Sequence, residues 1–436
     1  MQLDLVVRAK RAVMEAGAAS SSVGVREGRV VAVERYDAAL AGSTEVVLAD
    51  DEVLMPGLVD THVHVNEPGR ADWEGFSTAT RAAAAGGVTT IVDMPLNSIP
   101  ATVEPAALEA KRDAAAGQAV IDVGFWGGAV PGNLTELRRL HEAGVRGFKC
   151  FLLDSGVPEF PPLPDEQLRQ AMAEIASFGG LLLVHAEDAQ WVHPAPSCTA
   201  YSDFLATRPA EAESRAVARV IEGTRATGCR THIVHVSSAS VLPLLADARA
   251  EGLPVSAETC PHYLCLTAED VPDGATEFKC CPPIRDRGNA DELWDGLRDG
   301  VLDLVVSDHS PSPQALKQSG DFGTAWGGIC SLQVSLPAVW TAAMGRGFSL
   351  SDVARWMAAA PAQLVGFDDK GAIAVGRDAD FCLFAPDATW LVDAGRLEHR
   401  HPVTPYHGRT LTGVVRSTWL RGERIDLDDP SRGRLL

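Results

Sequence analysis

The spacing of apolar positions along the chain changes twice, near residue 53 and near residue 367. Residues 1–52 alternate between apolar and polar positions around turn residues, as in SSVGVREGRVVAVE, which predicts β-strands. After Gly366 the same alternation returns in GAIAVGRDADFCLFA and GVVRSTWLRGERI. The pattern therefore predicts that the two chain ends, residues 1–52 and 367–436, pair in one small β domain.

Between the two ends, residues 53–366 show short apolar runs that end in polar residues, each followed by an Ala-rich stretch typical of helix. The eight runs are VLMPGLVDTHVHV, GVTTIVDMP, VIDVGFWGG, GVRGFKCFL, LLLVHAED, THIVHVSS, PVSAETCPHYL and LDLVVSDHSP. Eight βα units in roughly 310 residues are typical of a (β/α)₈ TIM barrel, whose active site lies at the C-terminal ends of its strands. We therefore predict an α/β fold with a TIM-like barrel over residues 53–366.

Charge and cysteine usage limit the classes of partner. The 436-residue chain has a formal net charge of −20, and no cluster of Lys or Arg offsets it, which disfavours nucleic acid and membrane surfaces as partners. Its nine cysteines lack paired CxxC spacing, which predicts reduced thiols. No signal-peptide pattern or bilayer-length apolar stretch is evident. These features predict a cytoplasmic protein with a small neutral substrate.

Polar residues with metal-binding potential collect where the predicted barrel strands end. They are His62 and His64 on the first strand, Lys149 on the fourth, His185 on the fifth, His235 on the sixth and Asp308 on the eighth. Because side chains alternate along a strand, His62 and His64 point to the same face and can reach one ion. Imidazole and carboxylate suit zinc and similar divalent metals, so we predict a metal centre at this rim.

Lys149 is the exceptional member of this set, because an ammonium group cannot ligate a cation and is repelled by metals. Carboxylation by CO₂ would turn its amine into a carbamate, whose two oxygens can bridge two ions. The alternative is a lysine paired with a carboxylate at the barrel mouth. The residue chemistry leaves both interpretations open.

Several stretches together resemble the cyclic amidohydrolase branch of the metal-dependent amidohydrolases, and within it most closely the allantoinases. They are MPGLVDTHVHVNEPGR, WEGF, AAAAGGVTTIVDMPLNSIPAT, GVRGFKCF, VHAED, HIVHVSS, AETCPHYL, KCCPPIRD, VVSDHSP, WGGI, GRDADF and VTPYHGRT. The resemblance runs along nearly the whole chain. It implies a distorted (β/α)₈ barrel, a small β-sandwich domain formed from both chain ends, and a homotetramer.

The resemblance also implies a ligand set and a reaction. His62, His64 and Asp308 would hold one divalent metal and His185 and His235 a second, with Lys149 as the bridging N6-carboxylysine. Zinc is the expected metal, and cobalt and manganese are alternatives. The implied reaction is hydrolytic opening of the hydantoin ring of allantoin to allantoate, in purine catabolism. Metals activate water and polarise the carbonyl, and Asp308 would act as general base and then general acid; its alternative role is purely structural.

The choice of ring rests on fewer residues. Dihydroorotases resemble HxHxR at strand one, where the arginine pairs with a substrate carboxylate, whereas this chain has Asn66 there. That difference favours a neutral cyclic ureide. Hydantoinases and dihydropyrimidinases also take neutral rings and are the nearest alternatives, but NEPGR, WEGF and MPLN resemble their motifs less.

Four further residues lie near the predicted site. Asn97 is predicted to hydrogen-bond a ring amide, with a plain turn residue as the alternative. Cys281 matches a substrate-contacting stretch of the family, where relatives often have serine, so a backbone contact is expected there. Cys260 and His262 are interpreted as packing residues of the seventh strand or as groups that support the metal ligands without binding the metal.

Two other classes of function are disfavoured. Amidohydrolase-like scaffolds without catalytic activity typically lack several metal ligands, whereas this chain keeps all six. A deaminase on the same barrel would be expected to use one metal and no lysine on strand four, and Lys149 argues against it.

Overall fold

A computed structural model of the chain describes residues 2–317, 319–430 and 432–436. Its strands are β1 (Leu3–Met14), β2 (Gly17–Arg26), β3 (Arg29–Arg35), β4 (Gly42–Val47), β5 (Val53–Pro56), β6 (Leu58–Val63), β7 (Val88–Asp93), β8 (Asp122–Phe125), β9 (Gly127–Gly128), β10 (Phe148–Phe151), β11 (Leu181–His185), β12 (Arg230–Ile233), β13 (Val255–Thr259), β14 (Leu304–Val305), β15 (Phe381–Leu391), β16 (Thr410–Leu420) and β17 (Glu423–Arg424). Its α-helices are α1 (Phe76–Ala85), α2 (Pro105–Ala115), α3 (Leu134–Glu142), α4 (Asp165–Ser177), α5 (Tyr201–Ala206), α6 (Ala210–Thr227), α7 (Leu242–Ala250), α8 (Pro261–Cys265), α9 (Arg287–Arg298), α10 (Gln314–Lys317), α11 (Ser335–Met344), α12 (Leu350–Ala354) and α13 (Ala360–Leu364). The mixed α/β architecture expected from the sequence is confirmed.

Both chain ends contribute strands to one sheet of eight strands. Its order is β17-β16-β15-β5-β1-β2-β3, and β4 pairs with β1 on a branch of this path. Strands β15 and β5 are antiparallel neighbours, which joins the end of the chain to its beginning. Burial alternates in the second half of β15, whereas all of residues 381–386 are buried.

The strands between β6 and β14 are all parallel and pair in the order in which they occur along the chain. Strands β6, β7 and β8 form one sheet and β9 to β14 another, and only Trp126 separates β8 from β9. A parallel bridge between Val63 and His309 also links the end of β6 to the segment after β14. Every residue of β6, β7, β10 and β11 is buried, as expected where helices cover both faces of parallel strands.

The predicted first barrel strand, VLMPGLVDTHVHV, is two strands in the structure. The backbone turns at Gly57, whose N–H donates to Asp380 at 2.8 Å, while the N–H of Leu58 donates to Gly87 at 3.0 Å. Residues Val53–Pro56 therefore belong to the terminal sheet and Leu58–Val63 to the parallel strands. An added Cβ at Gly57 would collide with the side chain of Thr89, so this junction requires glycine.

A buried ion pair fixes the strand ends beneath the polar rim. Lys111 of α2 donates to Asp93 Oδ2 at 2.6 Å and to the Met94 carbonyl at 2.7 Å, and Asp93 Oδ1 accepts from the Val65 N–H at 2.8 Å. The carboxylate therefore joins the ends of β6 and β7 to one helix. No helix among the described residues combines the length and the apolar character needed to cross a membrane.

Candidate metal centre

The six residues predicted as ligands all lie at or just beyond the C-terminal ends of parallel strands. His62 lies near the end of β6 and His64 directly after that strand, Lys149 lies in β10 and His185 ends β11; His235 and Asp308 follow β12 and β14. All six side chains are buried, from complete burial at His62 to 8% exposure at Asp308. Polar groups are rarely placed so deeply without a partner or an ion, so the arrangement indicates a functional site.

The structure brings these side chains together. His62 Nε2 lies 3.0 Å from Lys149 Nζ and 3.2 Å from Asp308 Oδ1, and His64 Nε2 lies 3.5 Å from the same oxygen. Ligand atoms of His62, His235 and Asp308 are all within 4.8 Å of one another. The ring centroids of His185 and His235 are 4.5 Å apart. One cluster therefore contains all six groups.

Backbone strain concentrates at this cluster. Six non-glycine residues of the described chain have positive φ, and four of them, Asn66, Asn97, His235 and Asp308, lie at or beside it. His235 and Asp308 have φ values of 40° and 44°. Such conformations cost energy in L-residues and persist where function requires a particular side-chain direction.

A buried glutamate that the sequence analysis missed orients His62. Glu258 on β13 contacts His62 Nδ1 through Oε1 at 2.5 Å and His232 Nε2 through Oε2 at 2.9 Å. When His62 donates its Nδ1–H to this carboxylate, the lone pair of Nε2 faces the cluster. The only hint in the sequence is a charged residue inside the apolar run PVSAETCPHYL.

Glu187 and Arg208, which the sequence pattern also did not single out, hold His185 through its Nε2, whereas His62 is held through its Nδ1. His185 Nε2 lies 2.7 Å from Glu187 Oε2, which also accepts from Arg208 Nη1 at 2.7 Å. Burial alone would raise the pKa of Glu187, but Arg208 and His185 outweigh it and lower that pKa to about 2. Glu187 therefore stays ionised, and Nδ1 is the nitrogen of His185 left to face the cluster.

The carboxylate of Asp60 connects the backbone of β6 to the segment that follows β14. Its Oδ1 accepts from the His62 N–H and its Oδ2 from the Ser307 N–H, each at 3.0 Å. Burial is the largest effect on this carboxyl and raises its pKa to about 6. The two hydrogen bonds bring the backbone beside His62 and the backbone beside Asp308 into register.

The donor set fits divalent metal. Burial lowers the pKa of all four histidines, which keeps their imidazoles in the neutral form that binds metals. His235 Nδ1 is buried without a hydrogen-bond partner among the described residues. Burial also lowers the pKa of Lys149 to about 8, and within the described chain no carboxylate forms an ion pair with its Nζ at 4.0 Å or less. Among the described residues, Lys149 therefore does not form the ion pair at the barrel mouth that was the alternative interpretation.

A cavity of about 550 Å³ opens onto the cluster. His64, Lys149, His185, His235 and Asp308 line it, together with both predicted substrate-contacting residues, Asn97 and Cys281, and with Arg208, Phe151 and Lys279. The side-chain amide of Asn97 lies 3.4 Å from His64 Nδ1, so it also contacts a predicted ligand. The space suits a small ring seated above the buried histidines.

Residues 53–425 match the Amidohydrolase family. The chain belongs to this family. The matched range covers every parallel strand from β6 to β14 and all six clustered side chains. A divalent metal centre is a property of amidohydrolases, and the geometry of the cluster agrees with it.

Within the amidohydrolases, the chain is similar along its whole length to enzymes of known name. It is 57% identical to the allantoinase of Streptomyces avermitilis over 439 residues, which cover 100% of this chain and 98% of that protein. It is 48% identical to the allantoinase of Saccharomyces cerevisiae over 384 residues, 85% of this chain and 82% of that one. A solved structure of the L-hydantoinase of Arthrobacter aurescens superposes with a TM-score of 0.94 at 30% identity, covering 99% of each chain.

Proposed function

We propose that this amidohydrolase opens the hydantoin ring of allantoin by hydrolysis and releases allantoate. The observation that carries the hydrolytic part is the cluster of four imidazoles, one lysine and one carboxylate at the floor of a cavity. The choice of allantoin is supported by the identity to two allantoinases along the chain. A neutral ureide is also consistent with asparagine at position 66, where dihydroorotases resemble HxHxR; the side-chain amide of Asn66 donates to the Pro311 carbonyl at 3.2 Å.

In this proposal, His62, His64 and Asp308 would hold one metal ion, His185 and His235 would hold a second, and Lys149, once carboxylated, would contribute its carbamate oxygens to the centre. Zinc is the proposed ion, with cobalt and manganese as alternatives. The contacts of Asp308 with His62 and His64 support the first group, and the neighbouring rings of His185 and His235 support the second. Metal supplies Lewis acidity to the substrate carbonyl and lowers the pKa of water.

The residues themselves bind, orient and move protons. Asp308 lines the cavity, and its carboxylate takes a proton from the attacking water and returns it to the departing ring nitrogen. Asn97 and the backbone at Cys281 hydrogen-bond the ring. Phe151, stacked on His185 at a centroid distance of 4.6 Å, supplies an apolar wall beside the polar groups.

The domain organisation is part of the same proposal. Strands β6 to β14 close into a (β/α)₈ barrel, supported by the bridge between Val63 and His309, and the terminal strands form the small β-sandwich domain. The division runs at residues 53–366 against 1–52 plus 367–436, except that Val53–Pro56 pairs in the terminal sheet and is assigned to it. A cytoplasmic homotetramer completes the proposal on the strength of the family resemblance.

The second candidate is a hydantoinase or dihydropyrimidinase, favoured by the superposition on the L-hydantoinase structure. The test is to measure kcat/KM for allantoin, hydantoin, dihydrouracil and dihydroorotate on metal-reconstituted protein. We expect allantoin to be the preferred substrate. A preference for hydantoin or dihydrouracil would keep the hydrolytic centre and replace the substrate.

A further inference from the structure

A second group of possible ligands shares Asp308 with the proposed centre. Cys260 follows β13 and His262 lies in the short helix α8 that begins at Pro261. A ligand atom of each lies within 4.8 Å of the other and of a carboxylate oxygen of Asp308. The side chains of Cys260 and His262 are completely buried.

The hydrogen-bonding state of His262 is independent evidence that this group binds a ligand. Neither Nδ1 nor Nε2 of its ring has a hydrogen-bond partner among the described residues. Its ring packs edge-on against Tyr263, with 4.2 Å between centroids, which limits rotation of the imidazole. A buried imidazole with two unpartnered nitrogens calls for a ligand, either an ion or a water.

The chemistry of the three donors favours a soft divalent ion. Thiolate, imidazole and carboxylate are the ligand types that zinc accepts, and three protein ligands with one open position make a complete site. Ligand atoms around tetrahedral zinc are about 3.5 Å apart, so a small side-chain rotation brings these groups to the required spacing. Binding would release the Cys260 thiol proton to solvent and leave the sulfur as thiolate.

We propose that Cys260, His262 and Asp308 form an additional cation site for zinc or cadmium, which shares Asp308 with the six-residue cluster and is able to inhibit the enzyme. Asp308 Oδ1 contacts His62 and His64, and the second oxygen of the carboxylate can serve the new site. Asp308 lines the cavity, which provides the route of entry. An ion held there competes for the carboxylate that moves protons in the proposed reaction.

Cadmium gives a direct measurement of binding at the sulfur. The six-residue cluster contains no thiol, so cadmium there produces no thiolate-to-metal charge-transfer band, whereas binding at Cys260 does. We expect cadmium, added to bicarbonate-treated protein that carries only two zinc ions per chain, to develop this ultraviolet band at one additional equivalent per chain. Cys260→Ser should lose the band while keeping its zinc content, and Cys229→Ser, a substitution of another buried cysteine, should retain it.

A second variant tests the site without removing the sulfur, in case Cys260→Ser does not fold. His262→Gln should weaken cadmium binding about 100-fold while keeping the sulfur available. A band that persists unchanged in Cys260→Ser, or no additional equivalent bound by the wild type, would overturn the proposal and leave a buried water as the partner of His262. Circular dichroism confirms that each variant is folded before binding is compared.

Inhibition is measured separately and rests on the proposed function. Excess zinc should slow allantoin hydrolysis by the wild type and have little effect on Cys260→Ser. If allantoin is not hydrolysed at all, the proposed function fails, while the cadmium band still decides whether the site exists. Inhibition of equal strength in both proteins would refute the regulatory part.

Discussion

Two glutamates outside the cluster decide which nitrogen of a histidine faces it. Glu258 contacts Nδ1 of His62, and Glu187 contacts Nε2 of His185. A carboxylate that accepts from one ring nitrogen fixes the tautomer and makes the other nitrogen a better ligand. Side chains that never touch the proposed ions are therefore expected to control how tightly they are held.

Glu258→Gln tests this control, because glutamine keeps the size of the side chain and removes its charge. We expect the affinity for divalent metal to fall by about 10- to 100-fold. The measurement is competition with a chelator on folded protein. Glu166→Gln, at an exposed glutamate on α4, is the matched control and should leave the affinity unchanged.

Asp308→Asn tests proton transfer. The substitution keeps a ligand oxygen but removes the basic carboxylate, so we expect kcat for allantoin to fall by about 10²–10⁴-fold while metal remains bound. Steady-state kinetics and metal content on the same preparation check both parts. Turnover close to that of the wild type would leave Asp308 as a structural ligand only.

The sequence predicted the cluster because HxH and the other polar residues stand where apolar runs end, and such positions converge in a parallel barrel. It could not predict Glu258, Glu187 or Arg208. Glu258 lies within a strand, and Arg208 precedes α6 in a stretch that looks like an ordinary helix start. Their role depends on which strands become neighbours, and spacing along the chain does not contain that information.

The parallel strands position the cluster through close backbone packing. Just before β10, Gly147 has φ of +157° and allows the strand to lie against β11, where Lys149 pairs with Leu183. A Cβ at Gly147 would be 2.6 Å from the carbonyl oxygen of Leu181. This contact sets how near Lys149 comes to the histidines on neighbouring strands.

Gly147→Ala should therefore destabilise the fold by about 1–3 kcal/mol, because backbone must shift to admit the methyl group. Chemical denaturation measures the change. Gly179→Ala is the control, since Gly179 also has positive φ, +69°, but an added Cβ there meets nothing within 4 Å. Equal effects at both glycines would show that the φ value, rather than the strand contact, is responsible.

Strand predictions succeeded where one apolar run makes one strand and failed where the chain bends inside a run. GVTTIVDMP contains β7 at Val88–Asp93, and LLLVHAED contains β11 at Leu181–His185. VLMPGLVDTHVHV, in contrast, splits at Gly57, and VIDVGFWGG is interrupted at Trp126. Both breaks depend on tertiary neighbours, namely Asp380 at Gly57 and Asp93 at Trp126, whose carbonyls accept from these N–H groups.

A buried charge network joins the terminal sheet to the parallel strands. Lys370 Nζ lies 2.6 Å from Asp122, 2.9 Å from Asp378 and 2.8 Å from Asp380, and Arg421 also pairs with Asp122. Asp122 begins β8, whereas Asp378 and Asp380 precede β15. The pairing of the two chain ends could be predicted from alternation, but this network could not, because its members are separated by up to about 300 residues and follow no local pattern.

Lys370→Met should destabilise the protein by about 3–5 kcal/mol, because it leaves buried carboxylates without their cation. Burial lowers the pKa of Lys370, but Asp380 and Asp122 outweigh it and raise that pKa above its usual 10.5. The stabilisation is therefore complete below pH 10.5 and is lost as the pH rises through the folded-state pKa. Denaturation at several pH values measures it, and Lys10→Met, at an exposed ion pair, should leave stability unchanged.

The most direct test of the hydrolytic centre is metal content per chain together with allantoin turnover, for the wild type and for Lys149→Ala, after reconstitution with zinc and bicarbonate. After removal of excess zinc, two ions per chain and rapid turnover in the wild type, with both reduced in the variant, are the predicted result. The proposed centre would be contradicted if the wild type bound no metal and opened no ring. It would also be contradicted if Lys149→Ala equalled an active wild type in metal content and turnover.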